Sequence, residues 1–215
     1  IEYGLEVVGL ETDYRTFNAL SVIVEQTENT TEFGGYIDYT INRGKLIVQP
    51  SLRMQYYSSL ARMRLEPRIG MKYKHSERLR LKIAAGMYSQ NIISANSDRD
   101  VVNLFYGFLS GPENLQSEFT NPSGSVREVA HSLQTANHVV VGFEYDLTEF
   151  LNLNVEGYLK QFTQLTNTNR QKLFPDDIDH NDVPEVLRLD YIIESGFAQG
   201  VDMVLKYEKN YSYLW

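Results

Sequence analysis

Apolar and polar residues alternate with a period of two along most of the chain. Over residues 64–74, apolar positions such as Leu65, Ile69 and Tyr73 alternate with charged ones such as Arg64 and Lys72. Successive side chains of a strand point to opposite faces, so this period predicts antiparallel strands with one apolar face each. The pattern predicts about nine strands, over residues 1–15, 31–41, 45–58, 63–74, 78–90, 137–147, 150–162, 197–208 and from 211 onward.

The predicted strands are long, and their connections differ between the two ends. Several strands have about 11 to 14 residues, whereas globular strands average about five or six and a tilted membrane-spanning strand needs about 9–11. The tight turns are 42–45, 75–77, 147–149 and 208–210, and the longer connections are 16–30, 91–136 and 163–196, with a short one at 59–62. Tight turns at one end and long loops at the other are typical of outer-membrane barrels, whereas a soluble sandwich mixes both kinds at each end.

Tyrosine is unusually frequent, with 15 residues in the chain. Those near predicted strand ends are Tyr56, Tyr57, Tyr73, Tyr88, Tyr145, Tyr158 and Tyr207. Aromatic residues collect at both membrane–water interfaces of barrels, so these positions predict aromatic girdles. Together with strand length and the asymmetric connections, they predict an all-β fold: an antiparallel transmembrane β-barrel segment with long extracellular loops.

The composition excludes several other classes of protein. The 215 residues have a net charge of −8, so the chain lacks the basic character of a nucleic-acid binder. It has no cysteine, which excludes disulfides, cysteine-ligated metals and cysteine nucleophiles within it. No apolar run is long enough for a transmembrane helix, but a transmembrane strand needs only alternation.

Catalytic motifs are absent from the sequence. The four histidines (His75, His131, His138 and His180) are scattered, and there is no zinc-protease, P-loop, serine-hydrolase or dinucleotide-binding pattern. The chain is therefore predicted not to be an enzyme and to use no cofactor. His138 lies near a strand end, where it could orient a serine in a barrel enzyme; a lumen or surface position is the favoured interpretation.

Residues 98–109 stand out within the connection 91–136. Their apolar positions have helical spacing, and they follow Ser97, a candidate N-cap, with acidic residues in the first turn. The pattern predicts a short loop helix. It either packs against its own loop, which is favoured, or helps to cap the pore or to meet a partner protein.

An acidic cluster lies within the connection 163–196. Asp177, Asp179 and Asn181 match the first ligands of a calcium loop, and they are the candidate metal ligands of the chain. The sixth and twelfth positions hold Asp182 and Arg188 where an EF-hand has Gly and Glu, so the cluster is no EF-hand. A loop-bound calcium ion remains one interpretation, and a solvated acidic loop is the favoured one.

The charged faces of neighbouring strands are predicted to meet on one side of the sheet. The cations are Arg64, Arg68, Lys72, Arg78, Arg80 and Lys82, and their counter-charges are Glu66, Glu144, Glu156 and Asp202. In a barrel this face lines the lumen, so these side chains are candidates for contacts with a plug domain or a substrate. The alternative is a network that neutralises itself and only fixes the strand register.

Several segments resemble TonB-dependent outer-membrane receptors. Residues 65–73 and 77–90 look like a recurrent hairpin of that family, in which a Pro-Arg strand, a periplasmic turn and a strand ending Gly-x-Tyr-x-Gln precede a long extracellular loop. Residues 136–145 with 151–160 resemble the next hairpin, residues 198–206 the strand after it, and residues 99–111 suggest the Bacteroidetes-type branch. The resemblance covers about residues 30–215.

This resemblance implies a barrel of about 22 strands that encloses an N-terminal plug. Such receptors lie in the bacterial outer membrane, bind scarce nutrients at extracellular loops and import them with energy that TonB transmits to the plug. Residues 1–215 are then a partial barrel domain from the C-terminal half, without the plug. The implied partners are outer-membrane lipid, the TonB system through the missing plug, and a surface lipoprotein or other outer-membrane subunits.

Two alternatives stay open at this stage. One is a receptor-like barrel that serves as a scaffold in an outer-membrane complex and binds partners through residues 91–136 and 163–196. The other is a small stand-alone barrel or barrel enzyme, which the terminal aromatic pattern of Tyr211, Tyr213 and Trp215 supports. The start at Ile1 and the alternating pattern at the end favour a chain cut within strands over a complete domain. The charges predicted to line the lumen are compatible with peptides, glycans or metal chelates as the transported substrate.

Overall fold

The computed structural model describes residues 1–17, 21–94, 108–111, 114–120, 124–209 and 212–214. In chain order the strands are β1 (Glu2–Phe17), β2 (Ile23–Asp38), β3 (Ile41–Arg43), β4 (Leu46–Tyr57), β5 (Arg62–Lys74), β6 (Leu79–Gln90), β7 (Ile92–Ser94), β8 (Phe108–Ser110), β9 (Glu118–Thr120), β10 (Val126–Glu128), β11 (Gln134–Asp146), β12 (Leu151–Thr168), β13 (Tyr191–Lys209) and β14 (Ser212–Leu214). A 3₁₀ helix (Ile178–His180) and the single-turn helix α1 (Glu185–Arg188) lie between β12 and β13. Within the described residues, no helix has the length and apolar composition of a membrane span.

One antiparallel sheet contains ten of these strands. Its order is β1-β2-β4-β5-β6-β11-β12-β13-β14, and β3 continues the line of β2 along β4. Each strand of this order therefore pairs with the main-sheet strands next to it in sequence, as in an up-and-down barrel. The pairs β7–β8 and β9–β10 form two small sheets at the end where the long loops lie. The predicted all-β, antiparallel fold is confirmed.

The apolar face of the sheet is exposed and the polar face is sheltered. In β5, Met63, Leu65 and Ile69 are 59%, 53% and 44% exposed, while Glu66 on the opposite face is 3% exposed. A soluble sheet has the reverse arrangement, with its apolar face in the core. From Met63 to Tyr73 the apolar face measures about 33 Å along the strand, which at a tilt of about 40° matches an apolar band of about 25 Å.

Apolar burial is confined to the loop end. Among the described residues only eight apolar side chains are buried, against ten polar or charged ones. The buried apolar residues are Val24, Tyr57, Ile93, Phe119, Leu133, Leu189, Tyr191 and Ile193. Val24 of β2, Ile93 of β7 and Tyr191 of β13 form one cluster with Leu115, so the loops pack across the end of the polar face.

Local sequence explains the tight-turn end of β2–β4. Gly44 has a φ of +61°, a left-handed conformation that glycine adopts without steric cost, and it closes the turn between β3 and β4. Pro50 accepts a hydrogen bond from the N–H of Tyr39 but has no N–H to return. Because one ladder bond is missing there, β2 and β3 are separate strands on one line.

Two of the predicted long connections are shorter than expected. The predicted loop 16–30 is wrong, because β1 extends to Phe17 and β2 begins at Ile23. The connection 163–196 shrinks to residues 169–190, because β12 and β13 continue beyond the predicted ends. In these extensions polar residues occupy both faces, so alternation could not reveal them.

The other predicted elements have mixed outcomes. Most of the predicted helix 98–109 lies outside the described residues, but Phe108 and Leu109 belong to β8. Tyr56, Tyr73 and Tyr145, with Tyr207, are exposed on the apolar face, as girdle residues should be. The girdle prediction is wrong for Tyr57, Tyr88 and Tyr158, because the strand alternation places them on the polar face.

Candidate functional site

The register of the sheet brings charged residues from distant parts of the chain to one level of the polar face. Lys72 lies opposite Lys82, Lys82 opposite Gly142, Gly142 opposite Glu156 and Glu156 opposite Asp202. Gly142 is required here, because a Cβ at this position would lie 2.4 Å from the Val155 carbonyl oxygen and 2.8 Å from Glu156 Cγ. The missing side chain lets Glu156 reach across β11 towards Lys82.

Three cations and three carboxylates form one network near the tight turns. Arg80 donates to both carboxylate oxygens of Asp146, at 2.7 and 2.8 Å, and through Nε to Glu144 at 2.9 Å. Lys72 Nζ donates to Glu144 at 2.9 Å, and Lys82 Nζ lies 3.1 Å from Glu144 and 2.5 Å from Glu156. This set, called the turn-side network, is Lys72, Arg80, Lys82, Glu144, Asp146 and Glu156.

Neutral amides complete the turn-side network. Asn152 donates to Asp146 at 2.6 Å, and Asn154 accepts from Lys82 at 2.9 Å. Hydrogen bonds between ionised groups are stronger than neutral ones, and a connected set stabilises more than isolated surface pairs. The network therefore fixes the mutual register of β5, β6, β11 and β12 and leaves no surplus charge of its own.

A second polar cluster lies closer to the loops. Glu66 accepts hydrogen bonds from Arg68 at 2.6 Å and from the backbone N–H and hydroxyl of Ser89 at 2.7 and 2.6 Å. The Arg68 guanidinium lies over the Tyr88 ring at 4.5 Å, and Tyr88 stacks on His138 at 4.4 Å. These contacts satisfy the one buried carboxylate of β5 and extend an aromatic stack towards β11.

The remaining predicted lumen residues are placed on or beside this face but outside both clusters. Arg64 is exposed on the same face of β5 as Glu66. Arg78 precedes β6, and its carbonyl accepts from the Asp146 N–H at 2.9 Å. Asp202 lies opposite Glu156 in the register and is exposed, without an ion pair among the residues described. Whether any of these residues meets a plug or a substrate stays a prediction.

The candidate calcium ligands are not gathered around a common point. Asp177 is bonded to His180 at 2.5 Å, while Asp179 and Asn181 are exposed. Asp176 pairs with Arg188, the residue that replaces the expected glutamate. Across the described ranges no group of three or more acidic or histidine side chains is arranged to hold a metal ion.

Several members of these clusters were not identified as site residues from the sequence. Asp146 and Asn152 flank a tight turn, and Asn154 lies within β12. The available sequence signal for these residues was that they share the alternating positions of the polar-face residues. The sequence predicts a girdle position for Tyr88 and a lumen or surface position for His138. Their stacking depends on the pairing of β6 with β11, which a single sequence does not reveal.

The two loop regions pack against each other above the polar face. The N–H and hydroxyl of Ser117 donate to Glu185 at 2.8 and 2.9 Å, and the Tyr191 N–H donates to the Asn114 carbonyl at 3.0 Å. Asn169 donates to the carbonyls of Val186 and Leu189 at 2.7 and 2.8 Å. These contacts join residues 114–117 to residues 169–191 across this end of the sheet. We call this packed region the loop roof.

Two solved structures share this fold. The outer membrane transporter YddB from Escherichia coli aligns at a TM-score of 0.50 and 9% identity, over 95% of this chain and 27% of that chain. The RagAB peptide importer in its closed-closed state aligns at a TM-score of 0.55 and 16% identity, over 97% of this chain and 25% of that chain. No family model and no curated protein matches the sequence.

The chain spans about a quarter of the length of both transporter chains. At the level of fold, the prediction of a transmembrane β-barrel segment is confirmed. The shared fold and the exposed apolar face agree with the predicted outer-membrane location. The assignments to a Bacteroidetes-type receptor and to the C-terminal half remain predictions. The chain has the fold of part of an outer-membrane transporter barrel.

Proposed function

We propose that the chain forms part of the barrel of a bacterial outer-membrane receptor that binds a nutrient on its loop side and imports it with energy supplied through TonB. The observation that carries this proposal is the inverted sheet. Its apolar face is exposed as a lipid-facing surface would be, and its sheltered face is lined by ion pairs. Only a lumen that contains water or protein favours such a lining.

The turn-side network suits the inner wall of an importer. Its charges are matched within the wall, so a plug moving against it does not have to break bonds that hold the strands together. The roof of loop residues lies at the opposite end, where a nutrient arrives from outside. A surface lipoprotein over this roof and the TonB system below it are the partners that we propose.

Uptake measurements in the host bacterium test the proposed function. Strains lacking the full-length gene, or lacking TonB, are compared with the parent for uptake of labelled peptides, glycans and metal chelates. We expect uptake of one class to fall to background in both strains and to return when the gene is restored. Normal uptake of every class in the deletion strain, together with stoichiometric recovery of partner proteins, would instead support a scaffold.

A further inference from the structure

Charge is distributed unevenly between the two halves of the polar face. In the half near the tight turns, the turn-side network has equal numbers of cations and carboxylates. In the loop-side half of β5, β6, β11 and β12, Glu66 is the only carboxylate among the residues described, and it is bonded to Arg68 and Ser89. The other charged groups there are cationic. The loop-side cluster is defined as Arg62, Arg64 and Lys160 of these strands, Arg127 of β10, and His131 between β10 and β11. Arg68 is not included because it is paired with Glu66.

The cations of the loop-side cluster have no acidic partner in the part of the chain that the structure describes. Arg62 and Arg64 are exposed on the polar face of β5. Lys160 lies over the Tyr158 ring at 5.2 Å, and Arg127 lies over Phe119 at 5.2 Å. The glutamates beside Arg127, Glu118 and Glu128, occupy the opposite face of the β9–β10 hairpin.

The members of the cluster converge from different elements. Arg127 donates to the Thr163 carbonyl at 3.4 Å, and Thr163 bonds Thr135 at 2.6 Å. Gln164, the next residue of β12, donates to the His131 carbonyl at 2.7 Å. Burial, and then the fields of Arg62, Arg64 and Arg127, lower the pKa of His131, so its imidazole stays neutral. Arg62 and Arg64 lie on the polar face at the loop-side end of β5, and Arg127 contacts the loop-side part of β12 two strands beyond β6. No carboxylate among the described residues is paired with any of the three guanidiniums.

We propose that the loop-side cluster binds the carboxylate groups of an acidic ligand at the loop end of the polar face. Guanidinium groups recognise carboxylates through paired N–H donors, and a recess lined by one sign of charge raises the local concentration of oppositely charged ligands. The proposal rests on the proposed function and specifies the chemical class of the imported nutrient. The carboxylates are those of the nutrient, and a plug segment in the same place is the competing outcome that the test separates.

Peptide binding to the purified full-length receptor tests this inference. Fluorescent tetraglutamate and tetraglutamine peptides are compared at low and high salt, with the double variant Arg62→Gln/Arg64→Gln. The matched control is Lys45→Gln/Lys74→Gln, which removes the same charge from exposed residues at the tight-turn end. Heat-modifiable migration on gels shows that each variant is folded.

We expect the wild type to prefer tetraglutamate, with at least about a tenfold loss in the Arg62/Arg64 variant and little change in the control. High salt should weaken only the acidic peptide. Equal binding of both peptides, or an equal loss in the control, would overturn the inference while leaving TonB-dependent uptake, and hence the proposed function, intact. Unchanged tetraglutamate binding in the Arg62/Arg64 variant would also overturn the inference, and increased protease sensitivity of the plug in that variant would show that plug carboxylates occupy the cluster instead.

Discussion

At the scale of single residues, Val140 and Val141 are identical neighbours on opposite faces of β11. Val141 is 54% exposed on the apolar face, and Val140 lies opposite Ala84 and Tyr158 on the polar face. Val141→Arg should cost about 2–4 kcal/mol of unfolding free energy in lipid, because it places a charge near the bilayer midplane. Val140→Arg should cost much less. Urea titration in lipid vesicles measures both, and equal costs would contradict the orientation of the sheet.

Leu79 is the depth control for this comparison. It is the first residue of β6, next to a tight turn, so Leu79→Arg should cost only about 0–1 kcal/mol, as near a membrane interface.

Glu144 is the acceptor that joins three cations of the turn-side network. Glu144→Gln removes the charge that Lys72, Arg80 and Lys82 share. We expect a loss of about 1–2 kcal/mol in unfolding free energy, below the cost for a fully buried pair because water reaches these groups. Asp202→Asn is the matched control, since Asp202 is exposed on the same face. A larger loss in the control would mean that the network does not stabilise the sheet.

His131 gives the loop-side cluster a pH dependence. Its pKa in the folded protein is below the ordinary value of 6.5, first because of burial and then because of Arg62 and Arg64. When residues 124–133 open locally, His131 regains its ordinary pKa and binds a proton more readily than it does in the folded state. The folded form of residues 124–133 should therefore lose stability as the pH falls from about 6.5 through the pKa of His131 in the folded protein. Hydrogen exchange of residues 124–133 measures this, and a pH dependence that persists in His131→Gln would contradict it.

At the scale of elements, the strand cores were predictable and their loop-side ends were not. The cores of β4, β5, β6 and β11 alternate because the sheet has one exposed apolar face, as a lipid-facing surface would be, and one sheltered polar face. Towards the loops the strands have no continuous apolar face, and polar residues such as Thr27, Thr30 and Thr163 occupy either face without a period. The structure continues as strands there because backbone pairing, not side-chain pattern, extends β1, β2 and β12.

The candidate site was predictable only as a list of charges on one face. Alternation placed Arg80, Lys82 and Glu144 on that face, and the structure brings them within hydrogen-bonding distance. The alternation could not assign hydrogen-bond partners, because Arg80 and Glu144 are 64 residues apart and meet only through the register of β6 with β11. Arg127 and His131 gave no signal, since they lie outside the strands with long alternation.

The roof between the loops depends on Glu185 at the start of α1. Glu185→Ala removes the acceptor for the N–H and hydroxyl of Ser117 and should weaken the roof by about 1 kcal/mol. We expect faster proteolysis within residues 114–120 and 169–190, with the barrel remaining folded. Asp182→Ala is the control, because Asp182 is exposed in the same loop without a bond among the residues described. Equal proteolysis of both variants would show that Glu185 does not hold the roof.

At the scale of the whole molecule, the exposed apolar face, the sheltered charges and the two unlike ends define a direction across a membrane. The tight-turn end has the matched network, and the loop end has the roof and the unmatched cations. If the loop end faces outward, an acidic ligand meets the loop-side cluster before it meets the turn-side network, whose charges are matched. The orientation is therefore part of the proposed function and can be tested separately from transport.

Single-cysteine labelling tests the orientation, and it is simplified because residues 1–215 contain no cysteine. Ile178, 87% exposed in the β12–β13 connection, and Glu77, exposed in the turn before β6, are changed to cysteine in a full-length receptor without other cysteines. A membrane-impermeant maleimide should label only Ile178→Cys on intact cells, and both variants once the outer membrane is permeabilised. Labelling of Glu77→Cys alone on intact cells would reverse the orientation and place the loop-side cluster in the periplasm, where it could not receive a nutrient from outside.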